Sequence, residues 1–221
     1  MEGNPFEELA ERYDAWFAEE GKLIFPTELS ALRRAAEGLP RPWLEVGVGS
    51  GRFAASLGID VGLDPAERLL EMARRRGMAV VRGRGEALPF PTESFGGVFL
   101  IVTLCFVEEP SAVLRECRRV LREGGGLVVG LVPAESPWGR RYTALGKEGH
   151  PFYSRARFYT VAEVKKLLSA AGFSLERCYS TLYQPPGDVR RVEKPREGCD
   201  PQAGFVVFLA RRTPGGREIQ G

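Results

Sequence analysis

Short apolar runs alternate with segments of helical periodicity along the middle of the chain. Five apolar runs have the length of buried strands, at residues 43–48, 61–63, 79–81, 98–102 and 127–132. Between them, apolar positions recur at helical spacing over residues 51–57, 65–76 and 110–122. Parallel strands joined by crossover helices produce this alternation. The pattern therefore predicts an α/β fold with a doubly wound, mostly parallel sheet.

A helix and two further strands are predicted after residue 159. Thr160 and Glu163 have the spacing of a capping box, at the start of a helix that ends near Gly172. Strands follow at residues 173–182 and 205–210, and the loop between them is short and rich in proline. Because that loop leaves no room for a crossover helix, we expect these two strands to be antiparallel.

Two stretches depart from this alternation. Apolar residues at helical spacing predict one helix over residues 6–19 and a second from Pro26 to Gly38. Residues 133–159 are rich in proline, glycine, arginine and aromatic residues without a sustained period, so we interpret them as an irregular insertion over a site. We expect a helical cap at residues 1–40 and a main domain at residues 41–212, which contains the cap insertion at residues 133–159. We expect a flexible tail at residues 213–221.

Charge and composition exclude some classes of function. The 221 residues carry 31 lysines and arginines against 29 aspartates and glutamates, a net charge of +2. Nucleic-acid binding needs a concentrated basic face, whereas here the arginine pairs are scattered, so we predict no nucleic-acid partner. Arginine far outnumbers lysine and asparagine occurs once, at Asn4. This bias indicates a thermophile or a GC-rich genome.

The N-terminus and the cysteines bear on location. The first residues are acidic and lack the layout of a signal peptide, and the longest apolar run, residues 98–107, is about half a membrane span. His150 is the only histidine, and no C-x-x-C pair occurs among Cys105, Cys117, Cys178 and Cys199. We therefore predict a cytoplasmic protein with free thiols, no membrane span and no metal site.

The most informative motif is a glycine-rich turn after the first predicted strand. It reads E-V-G-V-G-S-G from Glu45 to Gly51 and leads into a helix. Glycines permit positive φ and close approach of a ligand, and a helix N-terminus offers unpaired N–H groups. The third glycine comes one residue earlier than in the dinucleotide pattern G-x-G-x-x-G. Glu45 would repel a pyrophosphate and attract an amino group, which favours a ligand with a cationic amino-acid end over NAD.

A second motif is the acid at the end of the second predicted strand, Asp64. An acidic side chain there can accept hydrogen bonds from both hydroxyls of a ribose, each charge-assisted bond being worth about 1.5–3 kcal/mol. Asp64 is also suited to cap a helix that begins at Pro65. After the glycine turn, we favour ribose binding.

Further motifs follow in a fixed order. They are D-P at residues 64–65, E-A-L-P-F-P at 86–91, S-F at 94–95 and V-L-R-E-G-G at 120–125. With the glycine turn, this succession resembles the class I S-adenosylmethionine-dependent methyltransferases, in the small-molecule branch related to ubiquinone and menaquinone methyltransferases. The resemblance implies S-adenosyl-L-methionine as the cofactor. It also implies a Rossmann-like seven-stranded sheet of order 3-2-1-4-5-7-6 with an antiparallel last strand.

The resemblance implies roles for individual residues as well. Glu45 would face the methionine ammonium group and Asp64 the ribose hydroxyls. The other implied cofactor-binding residues are Gly47, Val48, Gly49, Gly51, Pro65, Gly85, Glu86, Ala87, Val102 and Thr103. Relatives often have Gly-Asp-Ala before Leu-Pro-Phe, with the aspartate on the adenine amino group. This chain has Gly-Arg-Gly at residues 83–85 instead.

Candidates for the acceptor site lie in the first helix, after the fourth strand and in the insertion. His150 is the candidate base, and Tyr153 is the second catalytic candidate. The apolar segment at residues 104–106, where some relatives carry a histidine pair, predicts an apolar acceptor pocket. The substrate-binding candidates are Tyr13, Trp16, Cys105, Phe106, Tyr142, Arg155 and Arg157.

Three functions are compatible with these motifs. We favour methyl transfer to a small-molecule acceptor by in-line displacement, in which positioning alone can supply roughly 7–11 kcal/mol. An NAD(P)-dependent oxidoreductase is disfavoured by the glycine spacing and by Glu45. The third is a non-catalytic S-adenosylmethionine-binding module or an enzyme that methylates a macromolecule. The sequence contains no indication of the oligomeric state.

Overall fold

The computed structural model describes residues 4–213, which form one eight-stranded sheet. Its strands are β1 Trp43–Val46, β2 Val61–Asp64, β3 Ala79–Arg82, β4 Phe95–Ile101, β5 Leu121–Leu131, β6 Phe173–Thr181, β7 Arg196–Glu197 and β8 Phe205–Arg212. They lie in the order β3-β2-β1-β4-β5-β8-β6-β7. Strands β1 to β5 pair in parallel, and β8 is antiparallel to both β5 and β6. The predicted fold class and strand order are confirmed; β7, two residues at the edge, is the strand that was not predicted.

Helices cover both faces of the sheet. They are α1 Pro5–Glu8, α2 Ala10–Ala15, α3 Ile24–Ala36, α4 Arg52–Leu57, α5 Glu67–Arg75, α6 Pro110–Val120, α7 Pro137–Lys147 and α8 Val161–Ala170. The core on one face includes apolar side chains of α6 and α8, and the core on the other includes those of α3 and α4. No helix in residues 4–213 is long and apolar enough to cross a membrane.

The start of α8 follows the predicted capping box. The Thr160 hydroxyl accepts a hydrogen bond from the Glu163 N–H at 3.1 Å, and the Glu163 carboxylate accepts one from the Thr160 N–H at 2.7 Å. Gly172, with a φ of 78°, follows the helix and leads into β6. The cap and the glycine stop are therefore confirmed.

The N-terminal segment, residues 4–40, differs from the two helices predicted there. Leu9 has φ −117° and ψ 32°, so the first helix is broken into α1 and α2. The second helix begins at Ile24, two residues before Pro26. A proline fits at this place because N–H groups in the first turn have no intrahelical partner.

The insertion, residues 133–159, is not irregular as predicted, because it contains α7. The Ser136 hydroxyl caps this helix by accepting a hydrogen bond from the Gly139 N–H at 2.9 Å, and Pro137 is its first residue. A β-carbon at Gly139 would overlap the Pro133 carbonyl, and one at Gly146 would lie 2.6 Å from the backbone carbonyl oxygen of Tyr153. The glycines that suggest a loop are there because other backbone approaches the helix closely.

The prediction of four free thiols is wrong. Cys178 and Cys199 form a disulfide, whereas Cys105 and Cys117 are free and buried. Pairing of β6 with β7 brings Cys178 and Cys199 together, and the Gly198 N–H donates to the Cys178 carbonyl at 2.8 Å. Residues 4–213 contain no cluster of three metal-ligating side chains. Apart from residue 213, the predicted flexible tail lies outside the described residues.

Candidate active site

The glycine-rich turn lies at the C-terminal end of β1, between the ends of β2 and β4. The N–H groups of Gly47 and Val48 donate to the Leu63 carbonyl of β2 at 2.7 and 3.0 Å. All three glycines of the turn have positive φ, from 53° to 80°. A β-carbon at Gly47 would overlap the Thr103 side chain that follows β4. The turn therefore requires glycine at these positions.

The Asp64 carboxylate lies beside this turn at the end of β2. One oxygen accepts a hydrogen bond from the Gly49 N–H at 2.9 Å, and the other accepts one from the Ala66 N–H at the same distance. Asp64 is buried, whereas the adjacent Pro65 is exposed. Burial raises the pKa of Asp64, and the two backbone hydrogen bonds oppose that rise. The carboxylate is thus held at the edge of the glycine turn.

Glu45 is the most buried acidic residue near the turn, with 2% of its surface exposed. In the sheet it is in register with Gly62 of β2 and Phe99 of β4. Its Oε2 atom is buried without a hydrogen-bond partner in residues 4–213. Burial raises the pKa of Glu45 well above its ordinary value, and the Asp64 charge adds to the rise. An unpaired buried acid of this kind is costly unless a ligand supplies its partner.

The end of β4 forms the other wall of the turn. Val102 has a φ of 52°, a strained value for a β-branched residue, and its N–H donates to the Gly130 carbonyl at 2.8 Å. The Thr103 hydroxyl donates to the Ile101 carbonyl at 3.1 Å and faces Gly47. Burial raises the pKa of the Cys105 thiol to about 12, so this cysteine stays a protonated, inert wall residue.

Residues 83–90 form a strap after β3, beside the end of β1. Gly85 is buried, and a β-carbon there would lie 3.0 Å from Val46. Glu86 is half-buried and pairs with Arg84 at 3.4 Å, while Ala87 is exposed. In the position where the family resemblance places an aspartate, the strap has Arg84, which is exposed, so what it offers the site there is Gly85 and backbone groups.

Two residues of α6 hold this strap in place. The Glu116 carboxylate accepts a hydrogen bond from the Leu88 N–H at 2.7 Å and also pairs with Arg119. Arg119 donates to the carbonyls of Leu88 and Phe90 at 3.0 and 2.8 Å. These charge-assisted contacts to backbone fix the strap relative to the sheet.

Tyr13 of α2 lies over the glycine turn. Its ring is 3.4 Å from the position that a β-carbon of Gly49 would take. Burial raises the pKa of the Tyr13 phenol, and the charges of Asp64 and Glu45 raise it further. The phenol therefore stays protonated beside both buried acids.

The next residue, Asp14, ties the N-terminal segment to the turn. Its carboxylate accepts hydrogen bonds from the Ser50 hydroxyl at 2.5 Å, from Arg52 Nη2 at 2.6 Å and from Arg76 Nη2 at 2.8 Å. Burial would raise the pKa of Asp14, but the hydrogen bonds from Arg52 and Ser50 and the Arg76 charge lower it to about 2. We call these four residues the Asp14 cluster.

Aromatic rings connect Tyr13 to the insertion. Phe152 contacts Tyr13 at 5.8 Å between centroids and His150 at 6.0 Å. The Tyr153 ring lies parallel to His150 on one side and to Tyr142 on the other, each at 4.3 Å. We call these five residues the aromatic chain. Its outer neighbours are Phe6, which contacts Tyr13, Phe106 and Phe152, and Trp138, which contacts Tyr142.

Titratable groups in the aromatic chain stay neutral near pH 7. Burial lowers the pKa of His150, and the Arg12 charge lowers it further. Burial raises the pKa of Tyr153 to about 12 and that of Tyr142 well above its ordinary value. The imidazole is therefore a neutral group, and the phenols are hydrogen-bond donors.

Three other substrate-binding candidates lie outside this chain. Trp16 packs edge-on against Phe17 at 5.2 Å, and its ring fills the space beside Gly21. The Arg157 side chain is exposed, pairs with Glu163 at 3.8 Å and covers the Tyr159 ring, while its N–H donates to the Cys105 carbonyl at 2.8 Å. Arg155 is exposed in the 3-10 turn Tyr153–Arg155.

Glu28 of α3 is an acid that the sequence interpretation missed. Only 5% of its surface is exposed, and within residues 4–213 it has no hydrogen-bond or ion-pair partner. Its charge contributes to the raised pKa values of Tyr142 and Tyr153. The carboxylate therefore lies near the far end of the aromatic chain from Tyr13.

Comparison with known proteins identifies the family. Residues 44–129 match the family model of a methyltransferase domain. The solved structure of TM1293 from Thermotoga maritima, an S-adenosylmethionine-dependent methyltransferase named as a possible histamine N-methyltransferase, is 36% identical with a TM-score of 0.87. The similarity covers 94% of this chain and 98% of that one. The chain belongs to the S-adenosylmethionine-dependent methyltransferases.

Two further relatives are similar to the methyltransferase, and one of them has a named activity. Rv2003c of Mycobacterium tuberculosis is 46% identical over 203 residues, which are 91% of this chain and 71% of that protein. The demethylmenaquinone methyltransferase of Tropheryma whipplei is 33% identical over 135 residues, 58% of this chain and 52% of that enzyme. The predicted family, enzyme class and cofactor are thereby confirmed, and the NAD(P)-dependent oxidoreductase is left without support.

The residues of the methyltransferase fit its cofactor, S-adenosyl-L-methionine. The buried Oε2 of Glu45 lacks a partner and suits a cationic amino group. The glycine turn, with positive φ at its three glycines, lies between Glu45 and Asp64. Asp64 keeps free lone pairs on both oxygens for ribose hydroxyls. The cofactor-binding roles of Glu45 and Asp64 were predicted from the motif between residues 45 and 64, and they stay predictions.

The residues of the methyltransferase that sequence reasoning missed act over long chain separations. In the Asp14 cluster, Asp14 is 36 residues from Ser50 and 62 from Arg76, and no local pattern predicts such a contact. Glu28 had a usable signal. Ile24, Ala31, Leu32 and Ala35 are buried at its helical spacing, so Glu28 is an acid on the apolar face of α3.

Proposed function

We propose that the methyltransferase acts on a small molecule, which binds between the end of β4 and the aromatic chain. The observation that carries this proposal is the continuous contact of Tyr13, Phe152, His150, Tyr153 and Tyr142. It joins the N-terminal segment to the insertion above the glycine turn. A site closed in this way suits a small acceptor better than a protein or nucleic-acid surface.

In this proposal, the cofactor occupies the side of the site formed by β1 and β2. Glu45 faces its amino group, and Asp64 binds the ribose hydroxyls. The backbone of residues 47–49 lies along the part of the cofactor between its amino group and its ribose. Gly85, Glu86 and Ala87 of the strap lie beside the adenine, where backbone groups take the place of the aspartate found in relatives. Val102 and Thr103 line the reacting end.

The reaction is an in-line displacement. When bound, the cofactor supplies a methyl group on a positively charged sulfur, which departs as a neutral thioether and needs no proton. The chain therefore acts by holding the acceptor atom in line with the methyl carbon. Cys105 and Phe106 give the acceptor an apolar wall, and Tyr153 and Tyr142 donate hydrogen bonds to orient it. His150, a neutral imidazole, takes up a proton where the acceptor must lose one.

The N-terminal segment excludes water from this arrangement. Tyr13 covers the turn, and the Asp14 cluster fixes its position with charge-assisted hydrogen bonds. Removal of water strengthens the electrostatic contacts of Glu45 and Asp64 with their ligand. The amine named for the Thermotoga maritima relative is one acceptor class compatible with this site.

The proposal is tested by binding and turnover measured separately. Calorimetry should show binding of S-adenosylmethionine and S-adenosylhomocysteine, and Glu45→Gln should weaken both by about tenfold or more. Radiolabelled methyl donor is then incubated with panels of amines, phenols and quinol precursors, and with total cell protein and RNA. Turnover on a small molecule is expected. Label found only in macromolecules, or binding without turnover on any acceptor, would contradict the proposal.

A further inference from the structure

Glu28, the buried acid of α3, lies close to residues from other elements of the fold. Glu28 is on the apolar face of α3, one turn before Leu32. The Leu32 side chain is 3.2 Å from the position of a β-carbon at Gly130, near the C-terminal end of β5. Glu28 is thereby placed close to the edge of the sheet at which the candidate active site is built.

The insertion reaches the same place from the other side. Trp138 of α7 contacts Gly204, which precedes Phe205 of β8, and Phe205 lies against Gly130 beside Leu32. Tyr142 is one turn after Trp138, and the two rings are 5.8 Å apart. This packing brings the Tyr142 end of the aromatic chain to the turn of α3 that carries Glu28. The electrostatic effect of Glu28 on both Tyr142 and Tyr153 agrees with this placement.

No cation of the described chain compensates this carboxylate. Among residues 4–213, Glu28 has neither an ion pair nor a hydrogen bond. The acid that joins it near the two phenols is Glu20, which adds negative charge. A buried acid that gains nothing from its own chain is a cost to folding, which a cationic ligand would offset.

We propose that Glu28 is the specificity-determining residue for an amine acceptor, whose ammonium group binds between the Glu28 carboxylate and the Tyr142–Tyr153 pair. The nitrogen attacks the methyl carbon only after the ammonium group has passed one proton to the Glu28 carboxylate, which leaves the amine with a free lone pair. This inference rests on the proposed function, since it concerns the acceptor side of that site. The tyrosine hydroxyl oxygens can accept hydrogen bonds from an ammonium group, and the carboxylate supplies the opposite charge. Aromatic walls around a single acid favour amines with an apolar body over anionic or neutral polar acceptors.

The test compares amines with alcohols of the same skeleton. The full chain, saturated with S-adenosylhomocysteine, is titrated by calorimetry with arylalkylamines such as 2-phenylethylamine and with the matching alcohols such as 2-phenylethanol. The amine is expected to bind about tenfold or more tightly than its alcohol. Glu28→Gln should remove this difference while leaving the affinity for S-adenosylhomocysteine unchanged.

A matched control uses the same substitution at the C-terminal end of the same helix. Glu37, directly after α3, is exposed and pairs with Arg34, so Glu37→Gln should keep the preference for amines. Equal binding of amine and alcohol across the panel by the wild-type chain would overturn the inference even if Glu28→Gln failed to fold. Preference retained in Glu28→Gln would also overturn it. Failure of S-adenosylhomocysteine to bind would contradict the proposed function instead.

Discussion

Replacing Asp14 by alanine should destabilise the fold and weaken cofactor binding together. The Asp14 carboxylate is 15% exposed, and the Arg52 and Arg76 side chains that pair with it are each 27% exposed. Solvent therefore screens these pairs only in part. The substitution removes the bonds that hold Tyr13 over the glycine turn, and it leaves two arginines beside each other without their carboxylate.

The magnitude follows from the pKa of Asp14. Burial opposes ionisation, yet the arginines and Ser50 lower this pKa from 3.8 to about 2. A lowering of this size corresponds to about 2.5 kcal/mol of folding free energy at neutral pH. With the cost of the two unpaired arginines, we expect Asp14→Ala to lose about 3 kcal/mol. For a domain of this length, that lowers the Tm by about 6–12 °C.

Urea denaturation followed by tryptophan fluorescence measures the loss. Glu11→Ala is the matched control, because Glu11 is on the same helix and pairs with Arg68 in an exposed ion pair. We expect little change in that variant. If Asp14→Ala is no more destabilising than Glu11→Ala, the reasoning about the Asp14 cluster is refuted.

The pH dependence gives an independent check. Because the pKa of Asp14 is lowered on folding, its stabilisation is complete above about pH 4 and is lost as the pH falls through about 2. The difference in unfolding free energy between the wild type and Asp14→Asn should therefore shrink over this range. A difference that stays constant would show that the carboxylate charge is not responsible.

Three further predictions concern the site. Gly47→Ala should destabilise the fold by about 1–3 kcal/mol and abolish cofactor binding, because the φ of Gly47 is 78° and the new methyl group would overlap Thr103. Adding Thr103→Ala to this variant should restore part of the stability, as measured by denaturation. Asp64→Ala should weaken cofactor binding by about tenfold or more; unchanged affinity in calorimetry would remove Asp64 from the site. Glu28→Gln should be more stable than the wild type above pH 8. Burial raises the Glu28 pKa to about 8, so the wild type loses stability as the pH rises from about 4.5 to 8. Equal denaturation curves for the wild type and Glu28→Gln at pH 9 would contradict this prediction.

Local signals explain which parts of the fold were predictable. The central strands are apolar runs bounded by helical segments, and the capping box at Thr160 is complete within four residues. The insertion was mispredicted because Gly139 and Gly146 normally indicate a loop. Here they are required inside α7 by the close approach of the Pro133 and Tyr153 backbones, which only the tertiary structure reveals.

The two sides of the candidate site differ in the same way. The cofactor side depends on Glu45, the glycine turn and Asp64, which lie within about twenty residues of sequence and have fixed spacing. The acceptor side that we propose combines α2, α3 and the insertion, which come together only through packing on the sheet. Tyr13 and Tyr153 were predicted for this side from the sequence and stay predictions, whereas Glu28 was not considered, because an acid on a helix is usually solvated.

The cofactor side and the proposed acceptor side of the candidate site both contain buried acids. Glu45, Asp64 and Glu28 have no ion-pair partner in residues 4–213, and burial raises the pKa of each. The unliganded chain therefore holds these groups at a cost, which ligands that donate hydrogen bonds or carry positive charge can offset. Ligands that bind the ionised acids lose affinity as the pH falls through the raised pKa values, since the acids become protonated. In our proposals, the cationic cofactor compensates Glu45 on one side of the site, and an amine compensates Glu28 on the other.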